Sequence, residues 1–120
     1  MEAPHEPYDG FANYETWCVN WWLTNDQDVS QRCRELVTQA TIIVQEASRI
    51  LDGIGTPTEA TRNLLAVALS ELVDEFNPVA DQTTLFSDLM GTALGEVDWQ
   101  EIADEFLNGE HAAFPPSAVL

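Results

Sequence analysis

The sequence predicts an all-α, single-domain bundle of four to five helices with flexible termini. Three observations carry that expectation. Apolar residues recur with a period near 3.6 over several long segments. Cap residues and prolines punctuate those segments where helices begin and end. No stretch alternates with a period of two for long enough to propose a strand.

The chain of 120 residues fits one domain spanning 1–120. At 45% hydrophobic, with four tryptophans, it holds enough apolar surface to offset the entropy of ordering without disulfide or metal staples. Residues 1–12 carry two prolines and a glycine without periodicity and read as a loose tail. So do residues 110–120, which contain Pro115 and Pro116.

Asn13 is the expected N-cap of a first helix from Tyr14 to about Thr24. Tyr14, Trp17, Cys18 and Trp21 recur at i, i+3, i+4 and i+7, which places them on one face. That spacing assigns Trp17 and Trp21 to the core and leaves Trp22 beside the stripe, partly exposed. Asp26 or Asp28 caps the second helix, from about Val29 to Leu51 before Gly53. Its stripe runs through Val29, Cys33, Leu36, Val37, Ala40, Ile43, Val44, Ala47, Ile50 and Leu51.

Thr56-Pro57-Thr58-Glu59 has the form of a capping box with proline at the first helical position. It opens a third helix that directs Leu64, Leu65, Ala68, Leu69, Leu72, Val73 and Phe76 inward and stops at Pro78. Residues 83–94 form a weaker helix with apolar Leu85, Phe86, Leu89 and Met90. A last short helix starts at the Asp98-to-Glu101 cap, buries Trp99, Ile102, Ala103 and Phe106, and ends at Gly109.

Charge is the outlier. Twenty-one Asp and Glu face four arginines and no lysine, a formal charge of −17. Such a chain repels phosphate, which argues against direct nucleic-acid binding and against docking on an anionic membrane. The longest unbroken apolar run, residues 64–69, is too short to span a bilayer, and residues 1–10 do not resemble a signal peptide. A cytoplasmic location follows as the simplest expectation. Cys18 and Cys33 form neither a CxxC nor a secreted-type framework, so buried free thiols are expected.

Nothing in the sequence assembles a catalytic apparatus, and no cofactor is implied. His5 and His111 sit in the tails; no H-E-x-x-H, glycine-rich phosphate loop or G-x-S-x-G is present. The chain is therefore read as non-enzymatic. Two acidic clusters occupy helical segments: Glu71 with Asp74 and Glu75, and Glu101 with Asp104 and Glu105. They read first as solvated helix faces and, together with Trp22, as the candidate partner-binding residues. The partner is an unidentified protein or a second copy of the chain, with Trp22 or Phe86 as an exposed aromatic contact.

The segment Asn13-Tyr14-Glu15-Thr16-Trp17, followed by Trp22-Leu23-Thr24-Asn25-Asp26, resembles the opening motif of a small uncharacterised domain family of phages, plasmids and haloarchaea. Val97-Asp98-Trp99-Gln100-Glu101-Ile102-Ala103 is similar to that family's closing helix. The resemblance implies a mobile-element or haloarchaeal context and brings no activity or functional residue with it.

Two readings of the charge follow. In molar salt the screening length falls to about 3 Å, so surface carboxylates no longer repel one another strongly; abundant acids and absent lysine suit that environment. The alternative is a DNA mimic that inhibits a nucleic-acid-binding or defence protein. After Arg62 the chain has eleven acids and no Lys or Arg, against ten acids and four arginines before Asn63.

Overall fold

The computed structural model describes residues 7–50 and 57–108. Five α-helices follow a 3-10 turn at Pro7–Gly10: α1 (Tyr14–Asn25), α2 (Gln27–Ile50), α3 (Pro57–Phe76), α4 (Leu85–Gly95) and α5 (Trp99–Leu107). The fold is all-α, and no strand occurs among the described residues.

Helices α2, α3 and α5 form the centre, with α1 laid across α2 and α5. Their apolar faces meet at Cys33, Ala40, Leu65, Leu69, Leu72, Ile102, Ala103 and Phe106. Leu65, Leu69 and Ile102 are fully buried. Removing each such side chain from water contributes about 1.5–3 kcal/mol. Phe76 closes α3 before Pro78, and Pro57 opens it, as expected of proline at a first helical position. Thr56, the cap expected with it, lies outside the described residues, as do Leu51, Gly53 and Gly109.

The N-terminal segment departs from the expected tail at residues 7–12. Tyr8 and Asp9 take positive φ (57° and 51°) and Gly10 follows at 90°. This tight turn carries Asp9 to the Trp17 indole, whose Nε1 donates to Asp9 Oδ2 (3.1 Å). It also brings Tyr8 edge-on against Tyr14. The remainder of the two expected tails, 1–6 and 110–120, lies outside the described residues.

The buried face of α1 is not the aromatic stripe. Thr16, Asn20 and Leu23 point inward, with Val19 beside them. Tyr14 and Trp21 are exposed and Trp17 is half-buried. Apolar residues are spread around the helix and two of its three buried residues, Thr16 and Asn20, are polar, so apolar spacing does not mark its inner face. The choice is made by Thr16, whose hydroxyl is used by α5.

Other residues of the apolar stripes also face outward. Ile43 on α2 is exposed because the inward face runs through its neighbours Ala40 and Val44, and Ile50 is exposed in the last turn. Phe76 is half exposed at the tip of α3. Helix α4 has the expected apolar residues but buries none of them.

Candidate functional site

Three features of the molecule are candidates for function: a hydrogen-bonded clamp between α1 and α5, an apolar groove at the far end of α1, and the outer face of α4.

The clamp is built from both motif segments. Asn13 caps α1: its Oδ1 accepts from the Thr16 amide (2.9 Å) and the Thr16 hydroxyl (2.6 Å). Its Nδ2 donates to the Glu96 carbonyl (2.8 Å). Thr16 Oγ1 in turn accepts from the Asp98 amide (2.8 Å). Asp98 caps α5 by accepting from the Glu101 amide (3.1 Å). In a complete capping box the Glu101 carboxylate would return to the Asp98 amide. Thr16 already takes that amide, so Glu101 Oε1 reaches the Ala12 amide instead (2.9 Å). Each side chain named here is engaged by another part of the chain, which makes the cluster a tie between α1 and α5.

The groove has a volume of about 390 Å³ and is lined by Cys18, Trp22, Asp26, Val29, Val73 and Phe76, among others. Trp22 stacks edge-on against Trp21 (centroids 5.1 Å apart) and is 62% exposed. On the opposite wall Arg32 lies over the Phe76 ring (6.0 Å) and pairs with Glu75 (3.1 Å). The pair is exposed, so its contribution is at most about 1 kcal/mol. Its position matters more, since it holds the Arg32 guanidinium over the ring of Phe76, which lines the groove.

The acidic clusters do not form two free faces. Glu75 is held by Arg32, Asp104 by Arg62 (3.4 Å), and Glu101 by the Ala12 amide. Glu105 is half-buried, while Glu71 and Asp74 are exposed. Glu71 borders a shallow cleft with Asn13, Asn63, Glu96 and Asp98. Trp22 is where the sequence placed it, exposed beside the apolar stripe. Among the described residues no three or more His, Cys, Asp or Glu side chains converge as metal ligands.

The conspicuous surface that periodicity alone did not reveal is on α4. Leu85, Phe86 and Leu89 are 65%, 68% and 58% exposed, and Met90 continues the strip. Successive 100° steps put Leu85, Leu89, Ala93, Phe86 and Met90 on one half of the helix. Only Leu94, near the C-terminal end, packs against the core. The N-terminus is secured by a capping box in which Thr84 Oγ1 accepts from the Ser87 amide (3.1 Å) and Ser87 Oγ accepts from the Thr84 amide (2.8 Å).

A family model described as a family of unknown function (DUF7249) matches residues 4–108. The chain belongs to DUF7249. The match takes in the clamp, the groove and α4, so all three features lie inside the family's span. No curated protein and no solved structure is detectably similar to the chain.

For this DUF7249 chain, the buried Cys33 thiol and the exposed Tyr14 phenol are both shifted, for different reasons. Burial pushes the Cys33 thiol up to about 12, against a weaker opposing pull from Arg32 and Arg34. The Tyr14 hydroxyl is raised chiefly by the adjacent Cys18 thiol. Neither group is poised as a nucleophile near neutral pH. Among the described residues no helix is long and apolar enough to cross a membrane.

Proposed function

We propose that the chain is a non-enzymatic, cytoplasmic protein-binding domain that works by direct protein–protein contact, on a surface whose acidity suits high salt. The observation that carries this reading is α4, a capped helix that holds its apolar half in solvent. An isolated helix of this length is marginal in water. Each large apolar side chain left uncovered forgoes about 1.5–3 kcal/mol. A contact that covers the strip recovers that free energy. The groove at Trp22 and Phe76 supplies a second apolar surface.

High-salt adaptation rests on the 21 acids, four arginines and absent lysine. It accounts for the charge without assigning it a partner. The reading places neither nucleic acid nor membrane among the partners.

The test is site-specific photo-crosslinking of the full chain in extract of the source organism, with the probe replacing Phe86, Trp22 or, as a control, Arg49. Discrete protein adducts from Phe86 or Trp22, and none from Arg49, are expected. Adducts indistinguishable among the three positions would sink the reading.

A second reading, a mobile-element-encoded mimic of DNA, is favoured by one feature: residues 63–108 hold ten acids and no Lys or Arg. It ranks lower because Glu75, Glu101 and Asp104 are already engaged within the chain. Capture of a DNA-binding protein that duplex DNA displaces, and that Glu71→Gln with Asp74→Asn weakens, is its expected signature. Capture indifferent to duplex DNA counts against it.

A further inference from the structure

We infer that the outer face of α4 is the docking strip for a protein surface that is apolar at its centre and cationic at its rim. This rests on the protein-contact reading above and deepens it by naming the strip and the chemistry of its occupant.

The strip has the form used when an amphipathic helix enters a groove. Leu85 and Leu89 stand one turn apart, Phe86 and Met90 stand one turn apart beside them, and Ala93 continues the first row. Its aromatic and long aliphatic side chains are the anchors such grooves accept. The capping box at Thr84 and Ser87 sets the start of the helix, and Leu94 fixes its far end against the core. The anchors are therefore held in place before anything binds, which lowers the ordering cost of docking.

Charge decides the occupant. Asp88 lies on α4 itself, Asp81 precedes it by one short connector, and Glu96 follows it directly; all three are exposed. Among the described residues none of these three carboxylates has an ion-pair partner. Arg32 and Arg62 pair with Glu75 and Asp104. Helix α4 and the segments on either side of it, residues 81–98, thus carry carboxylates and no Lys or Arg. A second copy of the chain would bring the same carboxylates and a formal charge of −17 against them. A cationic rim meets the carboxylates with opposite charge and steers the encounter.

The probe is a synthetic amphipathic Leu/Lys peptide, measured by fluorescence anisotropy against the full chain. It is run beside a composition-matched scrambled Leu/Lys peptide and an amphipathic Leu/Glu peptide. Saturable binding of the first is expected, at least tenfold tighter than either control and weakened by salt. The double variant Phe86→Glu with Leu89→Glu separates apolar docking from adsorption by charge. It adds two negative charges, so adsorption alone predicts tighter binding; docking predicts a loss of tenfold or more. Because Phe86 and Leu89 are themselves exposed, an unchanged far-UV spectrum and melting temperature are expected for that variant, and Phe86→Gln gives a charge-neutral check.

Equal binding of the scrambled peptide, or no loss in either variant, overturns the inference. So does a homodimer in sedimentation that Phe86→Glu dissociates, which would make a second copy the occupant. If the peptide fails to bind while crosslinks from Phe86 to protein persist, the chemistry assigned to the partner is wrong and the protein-contact reading stands. If both fail, both fall.

Discussion

The Thr16 hydroxyl and the Asp98 amide lie 2.8 Å apart across 82 residues of sequence, and this bond ties the first helix to the last. Thr16 is fully buried and spends its hydroxyl twice, donating to Asn13 and accepting from Asp98. Thr16→Val keeps the shape and removes both bonds, leaving the Asp98 amide without its partner. A loss of about 1–3 kcal/mol is expected in urea unfolding. Thr16→Ser, which retains the hydroxyl, should lose less. A Val variant as stable as the parent would mean that the clamp contributes nothing to folding.

The clamp gives a structural account of both motif segments. Asn13, Thr16, Asp98 and Glu101 are the residues in which segments 13–26 and 97–103 meet, and each is occupied by another member of the set or its neighbour. Asn13→Ala removes the α1 cap and the bond to the Glu96 carbonyl together. A cost of about 1–2 kcal/mol is expected, in the range of lost N-caps. Function mapped to other surfaces should survive this change at temperatures where the protein remains folded.

How far the sequence leads depends on the kind of signal. The starts of α1, α3 and α5 were legible because Asn13, Pro57 and Asp98 act through local backbone geometry. The inner face of α1 was not, because Tyr14, Trp17 and Trp21 outweigh Thr16 and Asn20 in any apolar count. Burial there follows a hydrogen bond to a helix more than eighty residues away. On α4 the period correctly grouped Leu85, Phe86 and Leu89. Periodicity tells which residues share a face and says nothing of whether another element covers it. The acidic candidates show the same limit: Glu101 and Asp104 acquire partners, Ala12 and Arg62, that only the tertiary fold supplies.

Asn20 is 5% exposed and its side-chain oxygen has no hydrogen-bond partner among the described residues. A buried acceptor left unsatisfied costs about 1–3 kcal/mol. Asn20→Leu has nearly the same shape and removes that acceptor. It is expected to raise the urea midpoint by the equivalent of about 1 kcal/mol. A fall instead would show that Asn20 holds an ordered water or a contact needed by the core.

The two cysteines should separate in alkaline solution. Cys33 is fully buried with its thiol pushed up to about 12 from an ordinary value of 9.0. The folded state therefore keeps a proton that the unfolded chain has released. Above the unfolded value the unfolded chain binds fewer protons, so stability falls as pH rises through the window from 9 towards 12. Cys33→Ala should flatten that decline. In native protein near pH 8, a thiol reagent is expected to modify Cys18, which lines the groove, far faster than Cys33. Equal rates would contradict the burial of Cys33.

The charge makes the last prediction. At −17, the folded chain confines its carboxylates in a smaller volume than the unfolded chain does, so repulsion opposes folding at low ionic strength. The ion pairs between Arg32 and Glu75, Arg49 and Glu46, and Arg62 and Asp104 each offset one carboxylate and leave most of the charge in place. Raising KCl from about 0.01 M to 1 M shortens the screening length from about 30 Å to about 3 Å. If the acidity is an adaptation to salt, the melting temperature should climb steeply over that range and keep climbing above 0.5 M. Most of the simple screening gain is complete by then, because the screening length is already below the spacing of most surface charges. A response that levels off early would indicate plain relief of repulsion and remove the support for a high-salt environment.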